Sequence, residues 1–302
     1  VEIRQESAQE FEKQSPLHFF EEMIPENFFR AAGDNSKMLQ IIFFAILFSI
    51  ALVLVPGEKT QVVKDFFDGL NDVILKIVDM IMRFAPIGVF ALMAALVVDF
   101  SGDADIFTAL GMYMLTVILG LFLLILGLYP LLIRVFAGVS IPAFLKGILP
   151  AQLVAFTTSS SAATLPVTLK QVTNELGVSK PIANFVLPVG VTINMDGTSC
   201  YQAIAAVFIA QVFGIDLTLI QQLTIVLTAT LASIGSPGIP SGSIVMLIIV
   251  LNSVGLPVEG LALILGVDRP LDMLRTVVNI TGDSTVASIV ARSEGELDQN
   301  PS

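Results

Sequence analysis

Long apolar runs separated by short polar breaks dominate the chain. The first run opens at about Met38 and closes at Pro56-Gly57-Glu58-Lys59, enough for one membrane span, since about 20 apolar residues cross about 30 Å of hydrocarbon. Ahead of it, Pro25-Glu26-Asn27-Phe28-Phe29 predicts an interfacial turn. From Gln61 to Phe100 the pattern begins amphipathic, with Asp65, Asp68, Asp72, Lys76, Asp79 and Arg83 among Phe, Leu and Ile, and turns wholly apolar past Pro86. It predicts one long helix that starts at the interface. Ser101-Gly102-Asp103-Ala104-Asp105 predicts a turn, and Phe107 to Phe136 a third span, whose only charge, Arg134, falls near its end and which carries no functional mark.

The second half has a different grammar, because its apolar runs are short and broken by small polar residues and prolines in two similar sets. Set one is Leu149 to Pro166, a polar connector around Lys170 to Lys180, then a span containing Thr192 to Thr198. Set two is Leu223 to Ala232, a breaker from Ser233 to Ser243, a second apolar arm to Val254, then a span containing Asp272 to Asp283. Such breaks leave backbone N–H and C=O groups unpaired, which lipid does not tolerate, so they are buried in protein or line an aqueous cavity. Arms of about ten residues are too short to cross, which favours two re-entrant hairpins over ordinary loops between spans. Paired broken segments in corresponding positions point to a transporter binding site at the repeat interface.

Composition agrees with a bilayer solvent: of 302 residues 55% are hydrophobic and only 14% charged, with a mean hydropathy of +0.86. The net charge of −11, with Lys and Arg occurring singly, argues against a nucleic-acid partner. Much of the charge lies in the tails, where Glu2, Glu6, Glu10, Glu12, Glu21 and Glu22 outnumber Arg4 and Lys13 and the C-terminus carries Glu294, Glu296 and Asp298; both ends read as solvated. Cys200 is alone and cannot form an intramolecular disulfide, and the one histidine, His18, falls in the polar lead. A small packing residue and a surface ring describe them better than a thiol or metal site. The chain opens on Val1 with no basic region before a short apolar stretch, which predicts no signal peptide and a start within an extramembrane loop.

Candidate chemistry concentrates in Gly266 to Asp283, where Asp268, Asp272, Arg275, Thr276, Asn279 and Asp283 recur mostly at spacings of three or four, one helix face. A charge at mid-bilayer costs a few kcal/mol even on the lenient insertion scale, so this face meets protein, ion or substrate. One reading is a structural ion pair between Asp272 and Arg275. The functional reading is that the arginine fork matches a carboxylate and the aspartate accepts from an ammonium, a pairing suited to an acidic amino acid, with Thr276 and Asn279 nearby. Asp283 beside Ser284, and Asp196 beside Asn194 and Thr198, are hard oxygen donors that suit Na⁺. A pore lined by the polar face is a rival. An intramembrane enzyme using Asp196 and Asp283 as a dyad lacks a nucleophile or histidine base.

The motifs Ser159-Ser160-Ser161-Ala162-Ala163-Thr164-Leu165-Pro166, Asn194-Met195-Asp196-Gly197-Thr198, Ser233-Ile234-Gly235-Ser236-Pro237-Gly238-Ile239-Pro240 and Asp272 to Asp283 carry a family resemblance. From about Pro25 to Arg292 the chain resembles the dicarboxylate/amino acid:cation symporters, the glutamate transporter family. The resemblance implies an all-α membrane fold with two re-entrant helical hairpins and discontinuous transmembrane helices in inverted repeats, lacking here the first three transmembrane helices of the family's full form. It further implies no enzymatic activity, a multi-pass protein of the cell membrane, a homotrimer, and a transport domain that slides across the bilayer as an elevator. The implied layout is a polar lead over 1–37, scaffold and connecting helices over 38–136, a transport core over 137–292 and a polar tail over 293–302.

The resemblance also implies roles. Arg275 binds the substrate side-chain carboxylate and Asp272 its ammonium. Thr198, Thr276 and Asn279 meet its other polar atoms, while Ser160 and Ser161 on one hairpin tip and Gly238 and Ile239 on the other close over it. One sodium sits with Asn194, Asp283 and carbonyls of Gly190 and Asn279; a second with carbonyls of Thr192, Ser233, Ile234 and Ser236; a third with Asn194 and Asp196, completed by the missing helices. There are departures: the first hairpin tip, Thr157 to Ser161, is neutral where archaeal members carry an arginine. Met273 stands where animal transporters place one, with Arg269 six residues ahead of Arg275, and Gln202 replaces their proton-carrying glutamate. Asp283 favours Na⁺ over proton coupling, and Asp272 with Arg275 selects aspartate or glutamate. A proton-coupled glutamate or a C4-dicarboxylate symporter of the same family is the alternative.

Overall fold

The computed structural model describes residues 24–33, 38–84, 104–234, 236, 238 and 240–298, together with Ile87, Phe90, Ala91, Ala94 and Val98. His18 lies outside the described residues. Among those described there is no strand, only an isolated bridge between Val178 and Leu297, so the fold is all-α as expected. The chain divides into two compact units, residues 1–86 and 87–302.

In the first unit, Asn27 caps α1 (Phe28–Ala32) by accepting from the Arg30 N–H at 3.1 Å, at the turn that Pro25 to Phe29 predicts. Two longer helices follow, α2 (Met38–Leu54) and α3 (Gly57–Met82). Phe28 packs on Phe44 with ring centroids 4.2 Å apart, and Phe48 meets Phe67 at 5.7 Å. The single helix expected over 61–100 is corrected here: α3 begins at Gly57 and ends at Met82, followed by a turn at Arg83 and Phe84. Proline at 86 has no N–H to offer the Met82 carbonyl, which is reason enough for the helix to stop.

The second unit opens with α4 (Ala104–Leu123), which continues through a π-helical turn at Leu124–Leu128, one α-turn α5 (Tyr129–Leu132), and a second π-turn at Ile133–Ala137. Then come α6 (Ile141–Thr158) and α7 (Ser161–Asn174), α8 (Lys180–Ile193) and α9 (Asp196–Val212), α10 (Leu219–Ile234) and α11 (Ser243–Ser253), and the long α12 (Leu261–Ser293). Within each of these three pairs a polar break interrupts an apolar stretch. At the first, Ser159 takes a left-handed φ of 52° and Ser160 caps α7 through the Ala163 N–H at 3.1 Å. At the second, Asn194 and Met195 leave helical geometry.

The arms flanking the breaks are longer than the ten residues expected, at 18 and 14 residues for α6 and α7 and 16 and 11 for α10 and α11. Helix continues through Lys170 to Asn174, counted as connector in the sequence, and through Pro150 and Pro166. α6 packs against α7, and α10 against α11. α12 packs against α6, α7, α8, α9 and α4, and nearly all its residues from Leu271 to Ser288 are buried. Phe107–Ala137 and Ile141–Thr158 are long and apolar enough to cross a membrane. Phe122, Leu123, Leu126, Leu131 and Phe136 face outward from the first of these.

Candidate substrate and cation sites

α12 places Asp268, Asp272, Arg275, Thr276 and Asn279 on adjoining turns, all buried. Arg275 Nη2 lies 2.8 Å from Asp272 Oδ1 and 3.0 Å from Asp268 Oδ1, and its Cζ sits 3.8 Å above the ring of Tyr201 from α9. Two carboxylates and an aromatic face thus hold a guanidinium only 1% exposed. Its Nε and Nη1 are buried with no hydrogen-bond partner among the described residues. A charged fork with two donors unspent is a strong attractor for a further carboxylate. Asp272 Oδ2 accepts from the Ser241 backbone N–H at 2.9 Å and lies 3.7 Å from Arg269 Nη1, whose side chain is about one-third exposed. That oxygen is thereby tied to the break between α10 and α11.

The break between α6 and α7 meets the break between α10 and α11 beside this cluster. Ser160 Oγ donates to the Gly238 carbonyl at 2.7 Å, and the Ala162 N–H approaches the same oxygen at 3.4 Å. Ser241, at a left-handed φ of 58°, also donates through Oγ to Asp268 Oδ2 at 3.3 Å. Between the two breaks lies a cavity of about 20 Å³, room for one water molecule. Ser161, Thr198, Gly238, Asp272, Arg275, Thr276 and Asn279 line it. Asn279 is fixed by the Gly197 N–H, which donates to its Oδ1 at 2.8 Å, while its Nδ2 reaches Met195 Sδ at 3.1 Å and Thr198 Oγ1 at 3.4 Å.

A second polar centre surrounds the break between α8 and α9. Asn194 Nδ2 donates to Asp283 Oδ1 at 2.9 Å, and a side chain at Gly190 would run into that carboxylate, its Cβ only 2.5 Å from Oδ1. Tyr129, from α5, donates its hydroxyl to Asp196 Oδ2 at 2.7 Å. The donors are hard oxygens, and among the described residues no three His, Cys, Asp or Glu side chains gather at one point. Single carboxylates with neutral oxygens suit a singly charged hard cation.

The sequence-predicted residues fall into three groups. Ser161, Thr198, Gly238, Asp272, Arg275, Thr276 and Asn279 come together around one cavity, with Ser160 bridging the two breaks. Gly190, Asn194 and Asp283 are in direct contact, and Asp196 lies near Asn194 across Gly282. Ser233, Ile234 and Ser236 lie at the end of α10, where the Ser236 N–H donates to the Ser233 carbonyl at 3.0 Å. Thr192 is exposed and its hydroxyl bonds back to Val189, so its side chain joins none of these; Ile239 lies outside the described residues. Cys200 is a half-buried free thiol on α9.

Sequence reasoning missed Ser241, the role of Asp268 as second partner of Arg275, and Tyr129. Asp268 carried a signal, being charged and on the same face. Tyr129 carried none, and the span described as unmarked therefore does hold a site contact.

Residues 1–293 match the profile of the Sodium:dicarboxylate symporter family. Excitatory amino acid transporter 4 of Rattus norvegicus is 46% identical over 257 residues, covering 84% of this chain and 46% of the relative. Excitatory amino acid transporter 3 of Mus musculus is 45% identical over 268 residues, 88% of this chain and 51% of the relative. Excitatory amino acid transporter 1 of Ambystoma tigrinum is 44% identical over 270 residues, 89% and 49% respectively. The chain thus spans about half the length of the curated relatives it matches. The chain belongs to the sodium:dicarboxylate symporter family.

Proposed function

We propose that this chain carries the substrate- and sodium-binding machinery of a secondary symporter that moves aspartate or glutamate with the sodium gradient. The observation that carries the reading is the pairing of Arg275, two of whose buried donors are unspent, with Asp272, whose second oxygen is held by the Ser241 backbone N–H at the break between α10 and α11. Arg275 takes the substrate side-chain carboxylate and Asp272 its ammonium, while Thr198, Thr276 and Asn279 engage the remaining polar atoms. Ser160, Ser161, Gly238 and Ile239 close over the substrate. The cavity of about 20 Å³ is far smaller than an amino acid, so entry requires the tips joined by Ser160 and Gly238 to part.

Sodium is the coupled ion in this reading. Asn194, Asp283 and carbonyls of Gly190 and Asn279 hold one; carbonyls of Thr192, Ser233, Ile234 and Ser236 hold another; Asn194 and Asp196 contribute to a third. Gln202 supports sodium over proton coupling, since it is fully buried, donates to the Ser243 carbonyl at 3.1 Å, and has no titratable proton. Residues 137–292 form the moving core of an elevator, residues 38–136 its scaffold and connections, and three protomers assemble in the cell membrane. The polar lead over 1–37 and the tail over 293–302 stay in water.

Exchanging Arg275 for Cys tests the assignment. Aspartate uptake is expected to fall about a hundredfold or more, the loss of about 3 kcal/mol of charge-assisted bonding, while a small neutral amino acid becomes a substrate. Unchanged aspartate affinity contradicts it.

A further inference from the structure

Tyr129 lies in the stretch read above as scaffold and connections and is not among the binding residues named there. It sits in a single α-turn between two π-helical turns, Leu124–Leu128 and Ile133–Ala137, the only π-turns among the described residues. Such turns concentrate at functional sites because they re-aim side chains at the expense of regular hydrogen bonding. Here they bring Tyr129, 2% exposed, to Asp196, where its hydroxyl donates to Oδ2 at 2.7 Å.

Gly282 explains why the groups meet there. A Cβ at that position would stand 2.8 Å from Asn194 Nδ2, 2.9 Å from the Tyr129 hydroxyl oxygen and 3.0 Å from Asp196 Oδ2. Three polar side chains from α8, α9 and α5 therefore converge on bare backbone of α12. Asn194 is held on its other side by its bond to Asp283, which ties this convergence to the neighbouring carboxylate.

From these contacts, and resting on the sodium-symport reading above, we infer that Tyr129 is a positioning residue for sodium. Its proton occupies Asp196 Oδ2 and fixes the carboxylate plane, so that the other oxygen, Oδ1, is presented to the cation together with Asn194. A hydrogen-bond partner one shell out that orients a ligating carboxylate typically changes cation affinity about tenfold or more when removed. Tyr129→Phe deletes the hydroxyl and keeps the ring, so packing in the buried pocket is retained.

The test is a sodium titration of the thermal unfolding midpoint of the full protein in detergent, with choline as the balancing cation. Ligand binding to the folded state raises the midpoint in proportion to occupancy, so the readout reports binding without transport. Tyr129→Phe is expected to move the half-saturating sodium concentration up about tenfold. In an Asp196→Asn background the same change is expected to add no further shift, because its effect passes through Asp196. An unchanged sodium dependence in Tyr129→Phe, or a full additional shift in the double variant, overturns the role of Tyr129 alone. A wild-type protein whose midpoint ignores sodium overturns the symport reading and this inference with it.

Discussion

Arg275 is held by Asp268, Asp272 and the face of Tyr201, its Nε and Nη1 have no partner among the described residues, and it lines the cavity between the two breaks. Both carboxylates face a guanidinium buried at 1% exposure, and removing Arg275 would leave them without their counter-charge, at a cost of about 3–5 kcal/mol. The other oxygen of Asp272 accepts from the Ser241 N–H, and in the proposed function the substrate ammonium takes over that contact when the break between α10 and α11 moves away. Asp272→Asn is expected to weaken aspartate binding about tenfold to a hundredfold and to shift preference towards dicarboxylates without an ammonium group, read from competition by succinate. Asp272 and Arg275 were legible in the sequence because a charge inside an apolar helix demands a partner. Ser241 and Tyr129 were not, since a neutral hydroxyl or a backbone N–H says nothing until the fold brings its acceptor within reach.

The elements that build the site are interrupted helices, and their interruptions were readable from Ser, Gly and Pro clusters in apolar surroundings. Their lengths were not: Pro150 and Pro166 sit inside helices that bury one face against α12, and packing outweighs the local penalty. The π-turns beside Tyr129 left no mark in the hydrophobic pattern either. Where α9 starts, Gly197 lies so close to α12 that an added Cβ would come 2.7 Å from the Arg275 carbonyl oxygen and 3.0 Å from Val278 Cβ. Gly197→Ala is expected to destabilise the fold by about 1–3 kcal/mol, because backbone cannot yield as a side chain can; thermal or denaturant unfolding measures it. At the break between α6 and α7, Ser160 both caps α7 and bonds Gly238, so Ser160→Ala is expected to cost about 1 kcal/mol and to speed amide exchange in the first turn of α7.

At the scale of the molecule, the second unit gathers its polar residues along one buried helix and turns large apolar side chains outward, the reverse of a water-soluble distribution along Phe107–Ala137. Both features fit membership of the sodium:dicarboxylate symporter family, and the excitatory amino acid transporters are 43–46% identical over most of this chain. The central claim is that substrate accumulation is driven by sodium. Its most direct measurement is radiolabelled aspartate uptake by the full-length protein in liposomes with an inward sodium gradient. The expected result is accumulation above the external concentration that collapses when a sodium ionophore dissipates the gradient. Uptake that only equilibrates, or that persists undiminished with potassium in place of sodium, contradicts the account.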